Sequence, residues 1–217
     1  DYVDVARRAD GADFAAVQAV LDDPGNGTPP FAPPVLLTEE VCLAQTAGIL
    51  LYLGERHGLA PTDTGGRLWT HQLQLTLADW LTEIHDTHHP LGPTLYYEQQ
   101  RDEAARRAAV FHEYRLPKYM QYFERVIRTN PSAAGWLAGD EATYADVSLF
   151  QILEGLTHAF PTALGRFDSA YPRMHALRER VRNLPGVAEY LASDRRMSFN
   201  DDGIFRHYPE LDASGPV

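Results

Sequence analysis

The chain has 217 residues, 44% of them hydrophobic, which is room for one large domain or two small ones around a sizeable core. Thirty acidic residues against nineteen Lys and Arg leave a net charge of -11, which argues against a nucleic-acid surface, because phosphate contacts come mainly from Lys and Arg. The single cysteine, Cys42, rules out an intrachain disulfide and a Cys-only metal site; with no signal-like N-terminus and no apolar run near the ~20 residues that span a bilayer, a reducing cytoplasmic setting off the membrane is expected.

Tyr2-Val3-Asp4-Val5 alternates apolar and polar residues and predicts a short, half-buried strand. Phe14, Val17, Val20 and Leu21 recur at helical spacing, predicting a helix over residues 13–21. Residues 24–34, with five Pro, two Gly and an Asn, are irregular until Val35-Leu36-Leu37 emerges as a strand. Glu39-Glu40 make the turn to a second strand at Val41-Cys42-Leu43, in which Cys42 reads as a buried small hydrophobe. It does not sit at a helix N-terminus, where a nucleophilic thiol is expected. From Thr46, the residues Ile49, Leu50, Tyr52 and Leu53 form an apolar stripe ending at Gly54 or Gly58. A first domain over residues 1–60 and a linker over 61–66 are the result.

Residues 67–192 read as an all-helical domain. Trp69, Leu73, Leu77, Trp80, Leu81 and Ile84 predict a helix over 68–88, ended by Pro90 and Pro93. A second runs over 98–128 with a kink at Pro117. Thr143-x-x-Asp146 is a capping box that opens a helix to about residue 159, stopped by Pro161. Shorter helices come next at 171–181 and 187–191. The aromatic, irregular tail, 193–217, is expected to pack back across the helical domain.

Several residues carry candidate chemistry. A hydroxyl and exposed amides at the Gln45-Thr46 helix start suit a carboxylate through hydrogen bonds and the helix dipole, although the pair alone is also an ordinary cap. An X-Pro bond such as Pro33-Pro34 is cis at modest cost and then turns backbone polar groups outward. Asp79 and Glu83 lie one turn apart on the polar face of the 68–88 helix, where acids are usually solvated. His85, His88 and His89 share a helix face and invite a metal reading; with no Cys and no second cluster at ligand spacing, no metal is expected.

The segments Phe31-Ala32-Pro33-Pro34-Val35-Leu36, Cys42 through Leu50, Trp136-Leu137-Ala138-Gly139, Thr143-Tyr144-Ala145-Asp146 with Val147-Ser148-Leu149-Phe150, and Pro185-Gly186-Val187 together resemble the cytosolic glutathione S-transferases over nearly the whole chain. The resemblance implies an α/β thioredoxin-like N-terminal domain followed by an all-α helical-bundle domain. It implies glutathione as substrate, bound through Gln45 and Thr46 at the γ-glutamyl carboxylate, with Pro34 as the cis residue and Pro33 pairing with the cysteinyl part. Pro33 departs from the pattern, because it has a carbonyl to offer but no N–H. Asp79 is implied to reach a partner's glutathione across a homodimer. His85, Tyr96, Tyr97 and Phe205 are candidates for the pocket of an electrophilic second substrate, with Phe199 and Tyr208 beside them.

In that family a first strand and helix precede the strand expected at Tyr2 to Val5, and the loop between them carries the Tyr, Ser or Cys that activates the thiol. Neither is found here, so a segment of roughly 25 to 30 residues is expected upstream, since a sheet without its central strand leaves backbone groups unpaired. No catalytic residue is assigned within the chain. The expected function is conjugation of the glutathione thiolate to electrophilic small molecules, as in detoxification. The alternatives are a non-catalytic binding or scaffolding protein of the same fold, and a glutathione-dependent reductase or lyase.

Overall fold

In the computed structural model, the residues described are 3–5, 7–8, 11–12, 14–23, 25, 27–167 and 169–212. A small antiparallel hairpin, β1 (Arg7–Arg8) with β2 (Gly11–Ala12), precedes the short helix α1 (Phe14–Leu21). The strand expected at Tyr2-Val5 is not seen. Tyr2 lies outside the described residues, and residues 3–5 are exposed loop and turn, for among the described residues they have no strand to pair with. Alternation without a neighbour does not make a sheet.

Thr38 turns the chain after β3 (Val35–Leu37). Its hydroxyl accepts from the amides of Glu40 at 3.1 Å and Val41 at 3.0 Å, and its own amide donates to the Val41 carbonyl at 2.9 Å. The returning strand is β4 (Cys42–Ala44), one residue later than its sequence pattern indicates, paired antiparallel with Val35 opposite Ala44. Helix α2 (Thr46–Arg56) begins at once.

Helix α3 (Thr64–His85) starts and stops earlier than the hydrophobic pattern alone implies. Asp63 caps it by accepting from the Gly66 amide at 2.8 Å, which draws Gly65 and Gly66 into the first turn. At the other end the Thr87 hydroxyl takes the Ile84 carbonyl at 2.7 Å and ends the helix before His88. A 3₁₀ turn (Tyr97–Gln99) leads into α4 (Arg101–Val110), then a π turn (Phe111–Arg115) and α5 (Leu116–Thr129). Where the sequence predicts a kink at Pro117, the structure has this π turn: a proline has no N–H for the carbonyl four residues back and crowds it, and the widened turn before it absorbs both.

Helix α6 (Tyr144–Ala159) is the centre of the domain. Its Leu149 and Leu156 are fully buried, α3 packs along one side and α8 (Pro172–Arg182) along another. Buried α3 side chains include Leu73 and Trp80, both 0% exposed, and Trp80 stacks on Tyr119 of α5 with ring centroids 4.9 Å apart. Side chains buried this fully contribute about 1.5–3 kcal/mol each. Pro161, read as a stop, also opens the short helix α7 (Pro161–Gly165), as Pro172 opens α8 and Pro185 opens α9 (Pro185–Leu191). Proline at a first helical position loses no bond that the helix would have made. A last turn, α10 (Pro209–Asp212), lies in the tail.

The α/β part meets the helical part through α2 and α6. The Tyr144 amide donates to the Leu59 carbonyl at 2.9 Å, and Gly54 of α2 lies so close that a Cβ there would run into the Tyr144 ring.

Candidate functional site

The register of the β3–β4 hairpin builds the first part of the site. With Val35 opposite Ala44, the residues just outside the pair, Pro33-Pro34 and Gln45-Thr46, come to the same end of the hairpin. The Pro33-Pro34 bond is cis, and all four residues are exposed. Thr46 is the first residue of α2, and the Gln45 carbonyl accepts from the Ile49 amide at 3.0 Å. The amides of Thr46, Ala47 and Gly48 therefore stand at a helix start without intrahelical acceptors, and the Gln45 side chain does not cap them. Gln45 itself has φ 68 and ψ 119, a backbone state costly for a residue with a Cβ. This strained corner offers an anion several N–H donors, a helix dipole and a free hydroxyl at once.

Asp79 lies on the exposed side of α3, away from the buried Leu73, Leu77 and Trp80. Among the described residues no hydrogen bond or ion pair links it to the Gln45-Thr46 corner. Its neighbour Glu83 behaves differently: Arg115 grips its carboxylate at 2.6 and 2.8 Å, and the Tyr119 hydroxyl donates to it at 2.9 Å. The hydrogen bond from Arg115 holds the Glu83 carboxyl below the usual carboxylate range, and burial, with Glu83 beside it, pushes the Tyr119 hydroxyl up to about 12. Glu83 is thus a tie between α3 and α5.

The second-substrate candidates divide. Tyr96 is 77% exposed. Tyr97 is buried, stacks on Tyr208 at 3.8 Å and donates its hydroxyl to Glu210 at 2.9 Å. Burial, with Glu210 alongside, raises the Tyr97 hydroxyl well above the ordinary range. Phe205 is buried against Gly155 of α6, where a Cβ would collide with its ring. His85 pairs with Asp86 at 3.2 Å and sits beside His88 and His89. Tyr97 therefore engages the tail, Phe205 is the tail's own contact with α6, and Tyr96 faces solvent. Among the described residues, no group of three or more His, Cys, Asp and Glu is arranged to hold a metal ion. No described helix is long and apolar enough to cross a membrane.

The sequence pattern does not disclose the backbone of Gln45, the Arg115–Glu83–Tyr119 network or the tail's anchoring. The one usable signal for the last is Gly155, a residue without a side chain in the most buried helix, facing an aromatic ring.

The comparisons with known proteins bear on this geometry. A family model described as "Glutathione S-transferase, C-terminal domain" matches residues 85–194, just over half of the chain. The glutathione S-transferase of Plasmodium yoelii yoelii is 25% identical over 161 residues, covering 74% of this chain and 67% of that protein. Glutathione S-transferase P 1 of Xenopus laevis is 27% identical, covering 71% and 65%. Glutathione S-transferase alpha-3 of Rattus norvegicus is 30% identical, covering 73% and 65%. The matched stretches thus span about two thirds of these relatives' lengths. Among solved structures, prostaglandin synthase D of Nilaparvata lugens aligns with a TM-score of 0.61 at 22% identity, over 77% of this chain and 76% of that one. The monomeric Na-GST-3, a glutathione S-transferase of Necator americanus, aligns with a TM-score of 0.58 at 19% identity, over 77% of each. These structural likenesses show the fold, a thioredoxin-like α/β part followed by a helical domain.

Proposed function

The chain belongs to the glutathione S-transferase family, and from that membership we propose that it binds glutathione at the Pro33-Pro34 and Gln45-Thr46 corner and presents the thiol to an electrophilic small molecule. The observation that carries the reading is the uncapped start of α2, which pairs a strained Gln45 with the free Thr46 hydroxyl. The γ-glutamyl carboxylate of glutathione is an anion of the size that such a helix start receives, and charge-assisted hydrogen bonds to it are the strong ones. The Pro33 carbonyl, at the same end of the hairpin, accepts from the cysteinyl N–H.

In the proposed reaction the glutathione sulfur, as thiolate, forms a bond to the electrophilic carbon while the leaving group departs with its electron pair, or, in an addition, a proton is taken up. This chain's residues bind and orient the tripeptide, which contributes through proximity. None is assigned to activation of the thiol. The protein acts as a homodimer, with Asp79 offered to a partner's glutathione, and works in the cytoplasm.

The test is three measurements on one sample: calorimetric titration with glutathione, formation of a thioether from glutathione and an aryl halide, and turnover of a glutathione mixed disulfide. Binding with turnover supports the transferase. Binding without turnover favours a non-catalytic binding protein, turnover of a glutathione mixed disulfide favours a reductase, and absence of binding overturns the reading.

A further inference from the structure

The tail is held to the helical domain by imidazoles. At the end of α3, His88 is 1% exposed and its Nε2–H donates to the Ile204 carbonyl at 2.8 Å. In the π turn, His112 is 7% exposed and its Nε2–H donates to the Leu211 carbonyl at 3.1 Å. From the tail, His207 donates its Nδ1–H to the Ala159 carbonyl at 3.0 Å. Between these three bonds lie the seat of Phe205 on Gly155, the stack of Tyr208 on Tyr97, and Asp212, which accepts from the amides of Thr162 and Ala163 at 2.9 Å.

Of these imidazoles, His112 sits where a second proton has no acceptor among the described residues, and His88 where the group facing its second nitrogen is another imidazole. Among the described residues the Nδ1 of His112 is buried without a partner, so a proton there would be a desolvated cationic N–H with none of them to bond. The Nδ1 of His88 faces the Nδ1 of His89. The groups around His88 are His85 and His89 on its own segment and Arg206 and Tyr208 on the tail. Around His112 are the Phe160 ring, Arg166 beyond α7 and Asp212, whose carboxylate is already engaged. Other acids in these surroundings are Asp86 at His85, Glu98 at His89, Glu210, bonded to Tyr97, and Glu113, next to His112 in the chain. At His88, then, the tail contributes positive charge through Arg206.

We propose that residues 199–212 are a strap latched by neutral imidazoles, docked at neutral pH and released by acid, whose release uncovers Tyr97, His88 and the face of α6 at Gly155. This goes beyond the glutathione reading and does not depend on it.

The sign is set by which state binds the proton. Burial lowers His88 from its ordinary 6.5 to about 4, and burial lowers His112 in the same direction. A released strap returns both to water and to ordinary basicity. Docking is therefore undiminished above the ordinary value and weakens as pH falls from there towards the docked one; at about pH 5 the His88 share alone is roughly a thirty-fold loss in the docking equilibrium.

Hydrogen exchange on the whole chain, corrected for the intrinsic pH dependence of exchange, tests this at about pH 7.5 and about pH 5. Amides of 204–212 are expected to lose at least tenfold in protection while those of α6 keep theirs. The double variant His88→Gln, His112→Gln keeps an N–H donor at each position without the titration, and its strap is expected to be insensitive over this range. A strap equally protected at both pH values, or lost together with α6, or equally pH-dependent in the double variant, overturns the proposal. Should that variant fail to dock at neutral pH, proton NMR of the unaltered protein decides: His88 and His112 titrating well below 6.5 support the latch, and ordinary titration with the strap docked overturns it.

Discussion

Gln45 holds a conformation that its own side chain disfavours, with φ 68 just before the first turn of α2. Strain of this kind costs on the order of 1–3 kcal/mol and persists where the surroundings impose it, often at ligand sites. Glycine has no Cβ to object. Gln45→Gly is expected to leave stability unchanged or raise it by about 1 kcal/mol in a denaturant titration, while glutathione affinity falls for want of the amide side chain. Loss of stability instead would show that the side chain, not a ligand requirement, sustains the turn. The residue pair is readable in the sequence, as a polar pair ahead of an apolar stripe. The backbone angle is not, because positive φ leaves a mark in sequence only when the residue is Gly, Asn or Asp.

The elements show the same division. The capping box is legible because it is local: Asp146, 0% exposed, accepts from Thr143 N at 2.8 Å, from the Thr143 hydroxyl at 2.6 Å and from Leu137 N at 2.8 Å. Asp146→Ala strands three buried donors and removes the cap, so a loss of about 2–4 kcal/mol in unfolding free energy is expected, with a matching fall in Tm. The α2–α6 contact is not local. Gly54→Ala would force a methyl into the Tyr144 ring, and overpacking of this kind costs about 1–3 kcal/mol. If calorimetry finds Gly54→Ala neutral, α2 is not clamped to the helical domain as described.

Helix α7 and the ends of α3 escaped the hydrophobic pattern for a related reason. Asp212 caps α7 from fifty residues away, and Thr87 and Asp63 set the limits of α3 through side-chain bonds that periodicity does not register. The Glu83–Arg115 tie adds a pH dependence. Its carboxyl is held low in the folded state, so its stabilisation is present above the ordinary carboxylate value and lost as pH falls through the folded one. Between about pH 5 and pH 3, Glu83→Gln should lose less stability than the unaltered protein, as thermal melts across that range will show; parallel losses would mean that the tie is too weakly coupled to folding to matter.

At the scale of the molecule, the division into an α/β part and a helical part is legible because the hydrophobic period changes at the linker, and because prolines punctuate the helices beyond it. Function is less legible. Most candidate residues lie on two faces, the exposed hairpin corner and the strap-covered side of the helical domain, with Asp79 and Tyr96 exposed outside both, and the sequence pattern does not separate them. The proposed homodimer belongs to this scale too. Asp79 is exposed in the single chain, so a role for it requires an interface, and Asp79→Asn should weaken glutathione binding only in samples that light scattering finds dimeric. An equal effect in a monomer would move Asp79 into its own subunit's site, and no effect in a dimer would leave it a solvated acid.

The most direct test of the assignment is a calorimetric titration of glutathione into the unaltered chain and into Thr46→Val, which keeps the bulk of the side chain and deletes its hydroxyl. Saturable binding by the first is expected, weakened by about 1–3 kcal/mol, roughly five- to 150-fold, in the second, because the hydroxyl bonds a carboxylate. Equal affinity in the two proteins, or no binding by the unaltered chain, would contradict the placement of glutathione at the start of α2.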